Sequence, residues 1–310
     1  MDDFRVEILN IMSVDGVHSL HTKVYVPSAE ARGFFQIVHG MAEHIDRYDK
    51  FMRKMASEGF ICFGHNHLGH KSSVKDDSEL GFIASKGGDN LLVSDVCQVA
   101  NTVMKKYSGG SSIPYVLMGH SMGSFIVRIA TEKYVRPDKL IIMGTGGPNP
   151  LASVGLSIVA IIKCLRGEKH VSKFVDDVAF GSYNKRFGGN DKNDPKLWLS
   201  TDEAQRKKYY ADKFCMFKFT VSAMNDLMTL TNTSNRKEWY EKIDNSIPML
   251  LLSGEDDPVG DYGKGVTAVY EGLKQHGVDV KCILYPRGRH EILNDFTYED
   301  VKKDITEFIL

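Results

Sequence analysis

The sequence predicts an α/β protein built on a doubly wound, mostly parallel sheet of eight strands with helices on both faces. Two observations lead to this prediction: short apolar runs rich in β-branched residues recur along the chain, and most of them are followed by segments of helical periodicity. Apolar runs that do not alternate with polar residues suit strands covered on both faces, as in a parallel sheet. Strand–helix alternation over 310 residues therefore predicts this class.

The first two strands are predicted as an antiparallel hairpin, because residues 4–9 and 17–26 flank an Asp15-Gly16 turn signal. Six further apolar runs predict one strand each, at residues 34–38, 59–63, 113–118, 139–143, 247–252 and 279–284. Apolar residues share one helical face in the segments 48–55, 89–107 and 266–273. A last helix is expected to begin at Thr297, where Thr-Tyr-Glu-Asp resembles a capping box.

The alternation breaks between residues 148 and 238. This stretch contains helical patterns, lacks a convincing strand, and lies between the sixth and seventh predicted strands. We therefore divide the chain into a core of residues 1–147 and 239–310 and a helical insertion of residues 148–238 at one end of the sheet.

Composition and charge narrow the function classes. Hydrophobic residues make up 42% and charged residues 25%, which excludes disorder, collagen and coiled coil. A net charge of −1 gives no electrostatic footprint for nucleic acid and no general attraction to anionic membranes. The five cysteines are dispersed, so we expect reduced thiols. The N-terminus lacks the regions of a signal peptide and no apolar stretch is long enough to span a bilayer, so we expect a cytoplasmic protein.

The strongest local signal is Gly119-His120-Ser121-Met122-Gly123, a G-x-S-x-G pattern placed where the fifth strand stops and a helix begins. Small residues on either side of such a sharp turn let strand and helix approach closely. The serine hydroxyl is then held out at the carboxyl edge of the sheet. We therefore predict that Ser121 is a catalytic nucleophile.

A serine nucleophile needs a base, and the base needs an acid that orients it. The loops after the seventh and eighth strands end at the same edge of the sheet and carry suitable side chains. We predict His290 as the general base and Asp257 as its partner. The same loop also offers three other carboxylates, those of Glu255, Asp256 and Asp261.

Acyl transfer also needs hydrogen-bond donors for the oxyanion. The first is the backbone N–H of Met122, directly after the nucleophile. The second is expected from the loop after the third strand, where Gly40 permits a tight turn and the N–H of Met41 follows. His39 and His44 are expected to hold this loop by hydrogen bonds.

A competing motif, His65-Asn-His67-Leu-Gly69-His70, has the spacing of a binuclear metallohydrolase loop. In that motif an aspartate precedes the last histidine, whereas Gly69 stands here, and no clear set of further ligands follows downstream. A polar loop near the site explains the cluster more simply. We expect no metal and no other cofactor.

Together these motifs resemble the α/β-hydrolase superfamily, and within it the monoacylglycerol lipase and lysophospholipase-like branch. The resemblance covers about residues 35–295 and runs through residues 39–44, 47–48, 64–70, 119–123 and 254–257 and His290. The segment 179–187 is more similar to uncharacterised bacterial members than to the animal monoacylglycerol lipases.

The resemblance implies a serine ester hydrolase that forms an acyl-enzyme and acts on monoacylglycerols, lysophospholipids or similar acyl esters. It implies Ser121, Asp257 and His290 as the triad, Met41 and Met122 as the oxyanion donors, and residues 148–238 as a lid. The expected partner is thus a small-molecule acyl ester.

Two other functions stay open at this point. The same triad can attack amides, and an aminopeptidase would need a carboxylate for the free amine of its substrate, for which the insertion offers Asp176, Asp177 and Glu203. A non-catalytic binding protein on the same scaffold is expected to lack a triad member, and none is missing.

Apolar residues recur at helical spacing in residues 151–165 of the insertion. The structural interpretation is a helix packed over the core. The functional interpretation is that one apolar side, including Ile158 and Ile162, roofs an acyl pocket, while a remaining exposed strip touches lipid surfaces transiently.

Overall fold

The computed structural model describes residues 3–189 and 194–310. Residues 1–2 of the N-terminal stretch and residues 190–193 of the predicted insertion lie outside the described residues. The strands of the described residues are β1 Phe4–Met12, β2 Ser19–Pro27, β3 Gly33–Val38, β4 Phe60–His65, β5 Tyr115–His120, β6 Lys139–Met143, β7 Met249–Gly254 and β8 Val280–Tyr285.

These strands form one sheet in the spatial order β1-β2-β4-β3-β5-β6-β7-β8. The pairs β1–β2 and β2–β4 are antiparallel, and all the other pairs are parallel. Strands β3, β4, β5 and β7 are buried along their whole length, which explains why their sequences are apolar throughout rather than alternating. The predicted eight-stranded, mostly parallel sheet is confirmed.

The helices of the described residues are α1 Asp49–Ser57, α2 Gly88–Tyr107, α3 Met122–Lys133, α4 Ala152–Arg166, α5 Lys173–Phe180, α6 Glu203–Ala211, α7 Val221–Ser234, α8 Lys237–Lys242, α9 Lys264–Gln275 and α10 Tyr298–Ile309. The sheet separates two hydrophobic cores. One contains the buried faces of α2, α3 and α9, and the other contains those of α1 and α10. Helices therefore cover both faces of the sheet, as predicted.

The predicted capping box at the start of α10 is wrong. Thr297 has φ −74° and ψ −4°, a helical conformation, and its side chain caps no backbone N–H of the helix. Its hydroxyl instead donates a hydrogen bond to the carbonyl of Ile292, at 2.8 Å. The Thr297 hydroxyl is thus hydrogen-bonded within the turn that precedes the helix and does not cap the helix.

The segment between β6 and β7 contains α4 to α8 and no strand among its described residues. Helix α7 packs against α2 and α3 of the core, and α4 packs against α7. No helix among the described residues is both long and apolar enough to cross a bilayer. The insertion therefore contacts the core through α7, which packs against α2 and α3.

Candidate active site

Ser121 lies on the sharp turn that joins β5 to α3. Its backbone has φ +53° and ψ −121°, a strained conformation for any residue with a side chain. A Cβ atom on Gly123 would lie 2.0 Å from the carbonyl oxygen of Val38, and one on Gly119 would lie 2.3 Å from that of Gly123. Both glycines are therefore required for the close approach of strand and helix, as the G-x-S-x-G pattern predicted.

His290 and Asp257 meet at the carboxyl edge of the sheet. His290 Nδ1 lies 2.8 Å from Asp257 Oδ2, and both side chains are buried. The other carboxylate oxygen, Asp257 Oδ1, accepts a hydrogen bond from the N–H of Val259 at 2.8 Å. Because Nδ1 donates to the carboxylate, Nε2 of His290 is left to accept a proton.

Asp257 is the acid that the structure brings to His290. Among the four carboxylates of residues 255–261, all of which are described, Asp257 alone is in hydrogen-bond contact with the imidazole. Glu255 and Asp261 are exposed, and Asp256 is paired with Arg186 at 3.5 Å. The turn after β7 thus buries Asp257 against His290.

Ser121 and His290 line one cavity of about 850 Å³. No hydrogen bond joins their side chains in the part of the chain that the structure describes. The insertion supplies much of the opposite wall through Phe180, Tyr183, Asn184, Lys196, Trp198, Tyr209, Phe217 and Leu227. A cavity of this size holds a small ligand together with the reacting groups.

The predicted oxyanion donors border the same cavity. Met41 and Met122 both line it, and neither backbone N–H has an acceptor among the described residues. A Cβ atom on Gly40 would lie 3.0 Å from Cβ of Ser121, so the loop after β3 passes directly beside the nucleophile. Two free N–H groups next to a serine are suited to stabilise a developing oxyanion.

A buried network that the sequence analysis missed holds this loop. Glu43 Oε1 accepts hydrogen bonds from the N–H of Gly40 at 2.6 Å and from the hydroxyl of Tyr48 at 2.9 Å. The same oxygen lies 3.1 Å from His120 Nδ1, and His120 Nε2 lies 3.1 Å from the carbonyl oxygen of His290. The network therefore connects the oxyanion loop to the backbone of the proposed base.

Glu43 and His120 form a buried ion pair. Burial opposes both charges, yet the hydrogen bond from His120 lowers the pKa of Glu43 to about 2. The same contact raises the pKa of His120 above its ordinary value, in spite of burial. With both ring nitrogens donating, the imidazolium form of His120 is favoured.

We expect Glu43→Gln to lower the free energy of unfolding by about 3 kcal/mol near pH 6, because a buried His120 loses its counter-charge. The lowered pKa of Glu43 means that its contribution is present above pH ~4.5 and is lost as pH falls toward its folded value. The raised pKa of His120 means that its contribution is present below pH ~6.5 and is lost above its folded value. Urea unfolding at pH 3, 6 and 9 measures this difference.

Tyr48→Phe is the matched control, since it removes a hydroxyl that donates to Glu43 and lies 2.9 Å from His120 Nδ1, but removes no charge. Its cost should be about 1 kcal/mol. A stability difference between Glu43→Gln and the wild type that stays constant from pH 3 to pH 9 would contradict the ion-pair interpretation.

His39 and His44 form hydrogen bonds in the loop after β3, as predicted. His39 Nδ1 donates to the carbonyl of Gly40 at 2.8 Å, and His44 contacts Asp212 of the insertion at 2.8 Å. In the cluster at residues 65–70, His67 Nε2 lies 3.1 Å from the carbonyl oxygen of His39. Burial lowers the pKa of His65 to about 3, so this polar loop packs in neutral form beside the oxyanion loop.

The prediction that Ile158 and Ile162 roof the acyl pocket is wrong. Neither residue lines the cavity, because the inward side of α4 is covered by α7. Val159 is the buried residue of α4, Ile162 is half-buried and Ile158 is exposed. Helix α7 faces the cavity instead and contributes Leu227.

The chain is similar to one described protein family, to two lipases and to one esterase of known structure. Residues 29–297 match the family described as serine aminopeptidase, S33. Mouse monoglyceride lipase is 22% identical over 276 residues, which are 89% of this chain and 81% of that protein. A monoacylglycerol lipase from Mycolicibacterium smegmatis is 27% identical over 158 residues, 49% of this chain and 51% of that protein. The crystal structure of a thermostable carboxyl esterase from Bacillus coagulans, solved with glycerol, has a TM-score of 0.90 at 29% identity and covers 98% of this chain and 97% of its own.

Proposed function

We propose that this protein hydrolyses carboxylic acyl esters with Ser121, His290 and Asp257 as its triad. The premise is that the chain belongs to the serine aminopeptidase S33 family and is a hydrolase of the serine esterase and lipase type. The observation that carries the proposal is the buried 2.8 Å contact of His290 with Asp257 on the cavity that Ser121 lines. The α/β-hydrolase fold brings these three side chains to one edge of the sheet from three separate loops.

In the proposed mechanism, Ser121 Oγ attacks the acyl carbon while His290 Nε2 takes its proton. Asp257 holds the imidazole in the required tautomer and stabilises the imidazolium. The N–H groups of Met41 and Met122 donate to the oxyanion. The C–O bond of the leaving alcohol then breaks, and the alcohol takes the proton from His290. Water, deprotonated by His290, then attacks the acyl carbon, the bond from that carbon to Ser121 Oγ breaks, and Ser121 takes the proton back from His290 as the acid leaves.

We propose monoacylglycerols and similar long-chain esters as substrates. The cavity is lined by apolar side chains, among them Phe125, Met216, Phe217 and Leu227, and by polar ones that include Asn184 and Tyr209. Each methylene group of an acyl chain buried against the apolar side chains would contribute about 0.8 kcal/mol to binding. The polar side chains suit an alcohol that carries free hydroxyl groups, as glycerol does.

We further propose that residues 148–238 act as a lid whose outer surface contacts lipid. Helices α5 and α7 carry cavity-lining residues, so a movement of this segment would change access to Ser121. The outer stripe of α4, together with the N-cap residue Leu151, is apolar and exposed over Leu151, Val154, Ile158, Ile161 and Leu165. A contiguous exposed apolar stripe beside an ester-binding cavity is typical of contact with a lipid surface.

The double variant Ile158→Ser with Ile161→Ser should lower turnover of a micellar monoacylglycerol about tenfold, because two exposed apolar anchors are lost. Turnover of the same ester below its critical micelle concentration should change less than twofold, since neither side chain lines the cavity. Rates measured on both sides of that concentration give the comparison.

Val6→Ser with Ile8→Ser is the matched control, because these residues are similarly exposed on β1, at the edge of the sheet. This control should leave both rates within twofold of the wild type. Equal losses for dissolved and micellar substrate in the α4 variant would argue against lipid contact.

The alternative function is that of an aminopeptidase, because the matched family is described as serine aminopeptidase. Of the carboxylates available for a substrate amine, Asp176 is ion-paired with Lys218 at 2.7 Å and Asp177 with Lys173. Glu203 is paired with Lys207 and does not line the cavity. A cavity whose insertion carboxylates already have cationic partners favours an ester over a peptide with a free amine.

The test compares kcat/KM for p-nitrophenyl esters of two to twelve carbons, 1-acylglycerols of the same chains, and aminoacyl-naphthylamides. We expect turnover of esters that rises with chain length and at least a hundredfold lower turnover of naphthylamides. Naphthylamide turnover equal to or above that of the esters would replace this proposal with the aminopeptidase alternative.

A further inference from the structure

Most charged side chains on the cavity wall are neutralised within the protein. The half-buried and buried carboxylates that line it are paired, Asp176 with Lys218, Glu291 with Arg47, and Glu43 with His120. Asp261, which also lines it, is exposed to solvent. A charge on the ligand would therefore be recognised by a charged cavity side chain that has no ion-pair partner.

Lys196 is such a group. Its side chain lines the cavity, and among residues 3–189 and 194–310 no carboxylate forms an ion pair with its ammonium; Glu291 and Asp176 act on it only from a longer distance. The ammonium donates to the hydroxyl of Tyr209 at 3.0 Å and lies 4.7 Å from the centre of that ring. Both contacts are to a neutral group, and burial lowers the pKa of Lys196 to about 8. A buried cation without a counter-charge is stabilised when an anion binds next to it.

The position of Lys196 relates it to the reacting groups. The hydroxyl of Tyr209 that contacts Lys196 also donates to the carbonyl of Ala42 in the oxyanion loop, at 2.9 Å. Two residues along the chain, the carbonyl of Trp198 accepts a hydrogen bond from the N–H of His290 at 3.3 Å. The ammonium is therefore linked to the oxyanion loop through Tyr209, and the segment that carries Lys196 contacts the backbone of the proposed base.

We propose that Lys196 recognises an anionic group of the substrate, and that the preferred ester carries a phosphate or carboxylate a few bonds from the scissile ester, as an acylglycerol phosphate does. This inference rests on the proposed ester hydrolysis and specifies its substrate class. The anion would supply the counter-charge that the protein does not, and its favourable free energy of binding would come from the alcohol part of the substrate rather than from the acyl chain.

The experiment measures kcat/KM for 1-octanoylglycerol, its 3-phosphate and the octanoyl ester of 4-hydroxybutyrate. Wild-type protein should prefer the two anionic esters at least tenfold, and the larger preference identifies phosphate or carboxylate as the recognised group. Lys196→Met, which keeps an unbranched side chain one atom shorter and removes the charge, should lower the ratio of anionic to neutral turnover at least tenfold, chiefly through KM. Lys196→Arg should keep most of the preference.

Lys213→Met is the matched control. It removes the same charge from the insertion, but Lys213 is an exposed residue paired with Asp77 and does not line the cavity. We expect this control to change the ratio less than twofold. An equal loss in the two methionine variants would assign the preference to overall charge and overturn the role of Lys196.

A binding measurement is independent of turnover. Glycerol 3-phosphate titrated into the Ser121→Ala variant should bind at least tenfold more tightly than it binds the same variant with Lys196→Met added. Equal affinities, or equal losses of neutral and anionic turnover in Lys196→Met, would overturn the inference while ester hydrolysis stands. Failure of the wild type to hydrolyse any of the three esters would instead overturn the proposed function.

Discussion

Ser121→Ala is expected to lower kcat for p-nitrophenyl butyrate roughly a million-fold, to the rate that binding and the oxyanion donors alone can support. The reason is that Ser121 is the proposed attacking group, and no water in the acylation step can replace a nucleophile held at the turn between β5 and α3. Initial rates at saturating ester give kcat. Labelling by a fluorophosphonate probe should reach one equivalent in the wild type and none in the variant.

Ser124→Ala separates loss of the nucleophile from damage to the turn. The hydroxyl of Ser124 donates to the carbonyl of Ser121 at 2.6 Å, so its removal weakens the same turn by about 1 kcal/mol and leaves the proposed nucleophile in place. We expect Ser124→Ala to retain at least a tenth of the wild-type kcat. Full turnover or full labelling in Ser121→Ala would contradict the proposed mechanism.

The sheet and the turn at Ser121 could be predicted because both depend on local sequence. Buried parallel strands need apolar runs, the approach of α3 to β3 needs glycine at residue 123, and the approach of α3 to β5 needs glycine at residue 119. The site as a whole was harder to predict from the sequence. Glu43 and His120 are 77 residues apart in sequence, and the signal for their pairing was limited to the spacing of Gly40 and Glu43 and to the position of His120 beside Ser121.

The insertion shows what helical periodicity cannot determine. The spacing in residues 151–165 predicted a helix, and α4 is present, but an apolar stripe does not say which neighbour covers it. Val159 faces α7, whereas Ile158 and Ile161 face solvent, because α7 occupies the position next to the cavity. Lys196 was missed for a related reason, since a lone lysine in a loop carries no periodic signal.

Asp257→Asn is expected to lower kcat about ten-thousand-fold with a small change in KM. The buried carboxylate accepts from His290 Nδ1 at 2.8 Å, and an amide at that position can present its NH₂ group to the imidazole instead. The ring would then be held in the tautomer that carries its proton on Nε2, where it cannot accept the proton of Ser121. Steady-state kinetics across three acyl chain lengths should show the same loss for each, because Asp257 does not act on the acyl chain.

Glu255→Gln and Asp256→Asn are the matched controls for this prediction, because both remove a carboxylate from the same loop. Glu255 is exposed and Asp256 is paired with Arg186, so each variant should keep kcat within about threefold of the wild type. The three carboxylates are within three residues of one another, yet the turn after β7 buries only Asp257 among them. A larger loss of kcat in either control than in Asp257→Asn would show that a different acid orients His290 in the working enzyme.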